Sequence, residues 1–112
     1  MAGIGLTLAG APALDCAQPG QARAQIARLR LAEIEYAEDV HRHAHWKEMG
    51  HCPQGATGDR CRNVVSRRFE AAWEARRAEI EAKYRQMSED YDAGCRASIT
   101  LRAAPGRQAH EP

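Results

Sequence analysis

Two long stretches of the chain carry apolar residues at the spacing of one helical face. Residues 21–49 and residues 60–93 contain neither glycine nor proline. The apolar stripe of the first stretch consists of Ala22, Ile26, Leu29, Tyr36, Ala37, Val40 and Ala44. The stripe of the second consists of Val65, Phe69, Ala72, Trp73, Ile80, Tyr84, Met87 and Tyr91. Spacings of three, four and seven residues indicate two amphipathic α-helices.

Glycine and proline mark the ends of both stretches. Pro19 permits a helix start, and Gly50 and Gly94 are typical of helix ends. The sequence therefore predicts helices at about 20–49 and 60–93, joined by a turn at 50–59. A turn this short makes the two helices antiparallel neighbours. The predicted fold is all-α: a helical hairpin over residues 15–97, with flexible tails that include a disordered segment at 98–112.

The four cysteines lie at the ends of the predicted helices, at positions 16, 52, 61 and 95. A disulfide requires Cα atoms within about 7 Å of each other. A continuous first helix keeps Cys16 away from Cys52 and Cys61, and a continuous second helix separates Cys95 from Cys52 and Cys61. The predicted disulfides are therefore Cys16–Cys95 and Cys52–Cys61.

These disulfides also predict the register of the hairpin. Facing residues of antiparallel helices have position numbers with a constant total, and both cysteine pairs give nearly the same total. That total brings the apolar stripes into contact, with the pairs Ala22–Tyr91, Ile26–Met87, Leu29–Tyr84, Val40–Trp73 and Ala44–Phe69. Glu33 and Arg76 interrupt the stripes about one turn apart. We expect them to form a partly buried ion pair that favours this register.

Composition limits the size of the core and the class of partner. The 112-residue chain has 16 Lys and Arg against 15 Asp and Glu, and only 5% of its residues are aromatic. Without a basic field we expect no nucleic-acid partner. So few large apolar residues cannot build a large core, and such small domains depend on disulfides, metals or self-association.

The N-terminus has some properties of an export signal. Residues 1–14 carry no charge, and Ala11-Pro12-Ala13 has the small residues of a cleavage site. The first basic residue is Arg23, so the segment is predicted to be either a truncated signal peptide or a disordered N-terminus. Together with two disulfides this favours a periplasmic or secreted protein, whereas reduced cysteines would indicate the cytoplasm. The apolar run is too short for a transmembrane segment.

Four of the five histidines lie between positions 41 and 51. His41 and His45 are four residues apart and share one helical face, whereas His43 points nearly the opposite way. Glu38 and His51 complete a candidate site for Zn²⁺, Ni²⁺ or Cu²⁺. The favoured interpretation is a solvated histidine face without a cofactor, where protonated rings complement the helix dipole.

Further apolar residues lie off the main stripe of the first helix. The predicted interaction face consists of Leu31, Ile34, Trp46 and Met49. A two-helix hairpin would leave them in water, which is typical of a surface that meets another protein. The sequence thus predicts a small exported, non-enzymatic interaction protein, which binds an unknown protein partner or forms a homo-oligomer. The alternative is a periplasmic or extracellular metal-binding protein. A thin hairpin offers no pocket for an enzyme.

Overall fold

The structure, a computed structural model, describes residues 14–103, with side chains up to residue 97. Helix α1 spans Pro19–Met49 and helix α2 spans Asp59–Ala103, with a short 3-10 helix at Ala56–Gly58 between them. No strand occurs within residues 14–103. The predicted all-α antiparallel hairpin is confirmed. The predicted leader at 1–14 lies almost wholly outside the described residues.

Helix α2 is longer than the sequence predicts. It continues through Gly94 to Ala103, so residues 98–103 of the predicted disordered tail are helical. Glycine ends a helix when it adopts positive φ, and Gly55 is the glycine that does so among the described residues. A glycine inside a helix costs only about 1 kcal/mol. The remainder of the predicted tail, 104–112, lies outside the described residues.

The turn between the helices is held by backbone and side-chain hydrogen bonds. Gly55 has φ of 73°, a conformation that favours glycine because it has no Cβ. Gly58 is buried, and a Cβ there would collide with the carbonyl oxygen of Pro53. The Arg62 guanidinium donates to the carbonyl oxygens of Pro53 (2.8 Å) and Gly55 (2.6 Å) and to the carboxylate of Asp59 (2.5 Å). A single side chain therefore joins the first turn of α2 to the loop.

The chain divides into two compact units. The terminal unit, residues 14–26 and 86–103 of the described chain, joins the start of α1 to the end of α2. Its Cys16–Cys95 disulfide has a Cα–Cα distance of 5.5 Å, and Tyr91 donates a hydrogen bond to the Asp15 carbonyl oxygen at 2.9 Å. Ala22 and Ile26 are buried in it, as predicted.

The turn unit, Ala27–Arg85, contains the turn and the adjoining halves of both helices. The Cys52–Cys61 disulfide, with a Cα–Cα distance of 5.7 Å, closes the turn, which confirms the second predicted pair. The buried apolar side chains of this unit are Ile34, Cys52, Val65, Ile80 and Tyr84, of which Ile80 is fully enclosed. This is a thin core, as the composition predicts.

Part of the predicted α1 stripe is wrong in the turn unit. Tyr36, Val40 and Ala44 are exposed, although the stripe places them in the core. The residues that face α2 are Ile34, Ala37, His41 and His45. Ala72 of the predicted α2 stripe is exposed as well.

The reason is the spacing of the residues that contact α2. A seven-residue step, such as Leu29 to Tyr36, rotates a stripe by only about 20°. The contact with α2 instead advances from Arg30 to Ile34, and each four-residue step rotates the contacting face by about 40°, because four residues exceed one helical turn. Tyr36 and Val40 therefore lie outside the face that packs against α2.

Candidate functional site

Glu33 forms a cluster of polar contacts with α2. Its carboxylate lies 3.5 Å from the Arg76 guanidinium, so the structure brings the predicted ion pair together. Shorter contacts come from the Tyr84 hydroxyl at 2.6 Å and the Lys83 ammonium at 2.8 Å. The hydrogen bonds from Lys83 and Tyr84 hold the pKa of Glu33 below its usual range, although partial burial opposes them. The hydrogen bond that Lys83 donates to Glu33 also raises the pKa of Lys83.

Sequence reasoning does not predict the contacts from Lys83 and Tyr84. The signal is present in the register, because both lie about one helical turn from the position that faces Glu33. The apolar stripe of α2 identifies only Arg76 as a partner for Glu33, because Arg76 is the charged residue that interrupts the stripe. Tyr84 is correctly predicted to lie in the core, but the spacing assigns its hydroxyl no partner.

Arg30 and Glu81 form a second cross-helix pair. Arg30 donates through Nε and a terminal nitrogen to the two carboxylate oxygens of Glu81, at 2.6 and 3.0 Å. This fork geometry is the strongest form of an arginine–carboxylate contact. The hydrogen bond lowers the pKa of Glu81 and raises that of Arg30. The position numbers of Arg30 and Glu81 have the same total as those of Cys16 and Cys95, so the pair follows the predicted register.

The two histidines predicted to share a face both contact Phe69. His41 lies with its ring centroid 5.2 Å from that of Phe69, edge to face, and its Nε2 donates to the Phe69 carbonyl oxygen at 2.6 Å. The His45 ring stacks on Phe69 with a centroid distance of 5.1 Å and an interplanar angle of 11°. Both rings are half-buried. His41 and His45 are therefore not solvated as expected, because the face of α1 that contacts α2 passes through these positions, whereas His43 is exposed.

The other residues of the predicted metal site lie apart from this pair. Glu38 is paired with Arg42 at 3.8 Å, and His51 is an exposed residue beyond the end of α1. Within residues 14–97 no group of three or more His, Cys, Asp or Glu side chains is placed to hold a metal ion. The set His41, His45, Glu38 and His51 is thus not brought together.

The predicted interaction face is divided by the structure. Leu31 and Trp46 are exposed, at 52% and 79% of their surface. Ile34 is buried in the core, and Met49 is half-buried with its sulfur 3.9 Å from the Ser66 hydroxyl oxygen. The assignment of Ile34 and Met49 to the interaction face is therefore corrected. The face of α1 that packs against α2 passes through Ile34 and not through Tyr36 and Val40.

An apolar groove occupies the side of the turn unit where the predicted stripe fails. Its volume is about 700 Å³. Its lining residues are Glu33, Tyr36, Ala37, Val40, His41, Ala44, Ala72 and Arg76. Tyr36 is 73% exposed and Val40 51% exposed. The two charged residues pair with each other, so the groove presents a mainly apolar surface to its surroundings.

None of the helices in the described chain combines the length and the apolar character needed to cross a membrane. Comparison of the chain with protein-family models, curated proteins and solved structures found no match.

Proposed function

We propose that the protein is an exported, non-enzymatic interaction module that associates through the groove of its turn unit. The observation that carries this proposal is the exposure of Tyr36 and Val40 beside the small side chains of Ala44 and Ala72. Large apolar side chains next to small ones form a ridge and a groove, which is how helices pack together. An apolar surface of this kind is typical of a protein–protein contact.

The spacing of the ridge favours a second copy of the chain as the occupant. Ala32, Tyr36, Val40 and Ala44 are all exposed on α1 and follow one another at four-residue intervals. Their sizes run small, large, large, small, which is the same in both directions. A twofold axis between Tyr36 and Val40 places Ala32 of one copy opposite Ala44 of the other. The same axis places Tyr36 of each copy against Val40 of the other, so the exposed apolar side chains cover one another in a twofold interface.

Export is supported by the cysteines. All four are paired in disulfides, one between Cys16 and Cys95 and one across the turn between Cys52 and Cys61. Disulfides of this structural kind persist in oxidising compartments and are rare in the cytosol. We therefore propose a periplasmic or extracellular location.

The shape of the groove favours binding over catalysis. Small-molecule sites are concave and bury most of their ligand's surface. The groove beside Tyr36 and Val40 instead leaves both of these side chains largely exposed. An open groove of this kind suits a helix face better than a small substrate.

Sedimentation equilibrium of the oxidised full chain, from micromolar to millimolar concentration, tests the proposal. We expect a reversible dimer that is weakened in a Tyr36→Ser/Val40→Ser variant. A Leu31→Ser/Trp46→Ser variant is the matched control, because it removes equally exposed apolar residues outside the ridge. A monomer at every concentration, or equal weakening by both variants, would contradict association through the ridge.

A further inference from the structure

The end of α1 and the start of α2 bring two Lewis bases to one hydroxyl group. The Nε2 atom of His45 lies 3.2 Å from the Ser66 hydroxyl oxygen, and the sulfur of Met49 lies 3.9 Å from the same oxygen. A serine hydroxyl has one proton to donate. Ser66 can donate this proton to Met49 while it accepts a hydrogen bond from the imidazole, or it can donate the proton to an unprotonated Nε2 of His45. In both cases the nitrogen and the sulfur face the same point between the two helices.

Neighbouring contacts fix the positions of these side chains. The His45 ring is stacked on Phe69, which restricts its rotation. The Cys52–Cys61 disulfide joins the two chain segments within about two helical turns of Met49 and Ser66. Both ligand side chains are half-buried, so they are shielded from water but remain accessible to a small ion.

We propose that His45 and Met49 bind a soft monovalent metal ion, Cu⁺ or its analogue Ag⁺, between α1 and Ser66. A thioether selects soft ions, and imidazole is a good ligand for copper. Structural Zn²⁺ sites require four ligands, whereas soft monovalent ions accept two. His41 is not a ligand, because the Phe69 carbonyl oxygen only accepts, so the Nε2 of His41 carries a proton and has no free lone pair. The Ser66 hydroxyl can donate, which leaves the Nε2 of His45 free to be unprotonated. This proposal is independent of self-association, which uses the other side of α1.

The test is a titration of the oxidised full chain with Ag⁺, followed by NMR of the methionine methyl groups and the histidine rings. We expect one ion per chain, with shifts at the Met49 methyl group and the His45 ring. Met49→Leu and His45→Ala should each weaken binding about tenfold or more. Met87→Leu and His43→Ala are matched controls, because Met87 lies in the terminal unit and His43 is directed at the Asp39 carbonyl oxygen.

A Ser66→Ala variant tests whether metal binding needs the Ser66 hydroxyl or only His45 and Met49. Because Ser66 competes for the two ligand atoms, its removal should leave the affinity for Ag⁺ unchanged or higher. Loss of binding in Ser66→Ala, undiminished binding in Met49→Leu, or equal shifts of the Met49 and Met87 methyl groups would overturn the proposal. Circular dichroism of each variant shows whether the helices are intact, and the leucine variants preserve side-chain volume.

Discussion

At the scale of single residues, Glu33 connects α1 to three side chains of α2. The Tyr84 hydroxyl and the Lys83 ammonium contact one of its oxygens, and the Arg76 guanidinium lies beside the other. These contacts differ in value because their burial differs. Tyr84 is buried, whereas the Lys83 and Arg76 side chains are about half exposed. Exposed ion pairs contribute little in water, so the hydrogen bond from Tyr84 stabilises the turn unit most.

Replacement of Tyr84 by phenylalanine should therefore cost more than removal of the predicted ion-pair partner. We expect Tyr84→Phe to reduce the free energy of unfolding by about 1.5 kcal/mol, the usual value of a hydrogen bond to a charged group. Arg76→Met should cost about 0.5 kcal/mol or less. Urea unfolding of both variants measures the difference. Equal losses, or a larger loss in Arg76→Met, would show that the guanidinium is the main partner of Glu33.

The register of the hairpin predicts which residues come near Glu33 but does not rank them. The constant total of position numbers correctly predicts that Glu33 lies near Arg76. It cannot rank Arg76 against Lys83 and Tyr84, because a side chain several bonds long reaches residues one turn away from its facing position. The choice among them depends on the rotamers and on which donor is desolvated, and the spacing of residues along the chain specifies neither.

At the scale of the helices, the elements are predictable and the exact core face of α1 is not. The start and end of α1 agree with the sequence prediction, and most of the α2 stripe is buried or half-buried as expected. In α1 the pattern favours Val40 and Ala44 because they are apolar. The structure uses His41 and His45, whose rings pack against Phe69. Hydrophobicity alone does not identify a histidine as a core residue.

Two glycines give a prediction about the helices and the turn. Gly94 lies inside α2, and a Cβ added there would meet no atom within 4 Å. Gly94→Ala should therefore stabilise the protein by about 0.5 to 1 kcal/mol, the difference in helix propensity. Gly58→Ala should destabilise it by about 2 kcal/mol, because its Cβ would overlap the Pro53 carbonyl oxygen and displace Arg62.

Thermal unfolding followed by circular dichroism measures both glycine variants. Gly94 is the control for Gly58, since the same methyl group is added to each. Destabilisation by Gly94→Ala would mean that α2 does not pass through position 94 as a regular helix. A neutral Gly58→Ala substitution would mean that the loop can move away from the first turn of α2.

At the scale of the whole molecule, stability depends on covalent links more than on a large core. Among the described residues, seven apolar side chains are buried and only Ile80 is completely enclosed. The two disulfides close loops of very different length, with sequence separations of 79 and 9 residues. A cross-link restricts the unfolded chain, and the effect grows with the length of the loop.

The two disulfides should therefore contribute unequally. On the chain-entropy relation, Cys16→Ser/Cys95→Ser should lower the free energy of unfolding by about 4.5 kcal/mol and Cys52→Ser/Cys61→Ser by about 2.7 kcal/mol. Guanidinium unfolding of both variants measures the two losses. The ranking would be refuted if removal of the Cys52–Cys61 pair were the more damaging change.

The Cys16–Cys95 link also makes most of the chain a covalent ring. A protease that cuts the peptide bond between Gln54 and Gly55, within the turn, would leave two chains that are joined by both disulfides. A second cut elsewhere in the ring could release only the segment between the two cuts. A segment that contains Cys52 or Cys61 would still be retained by the disulfide between them. Nicked protein would therefore migrate as one species until a reductant is added. Damage to the backbone therefore need not separate the two helices.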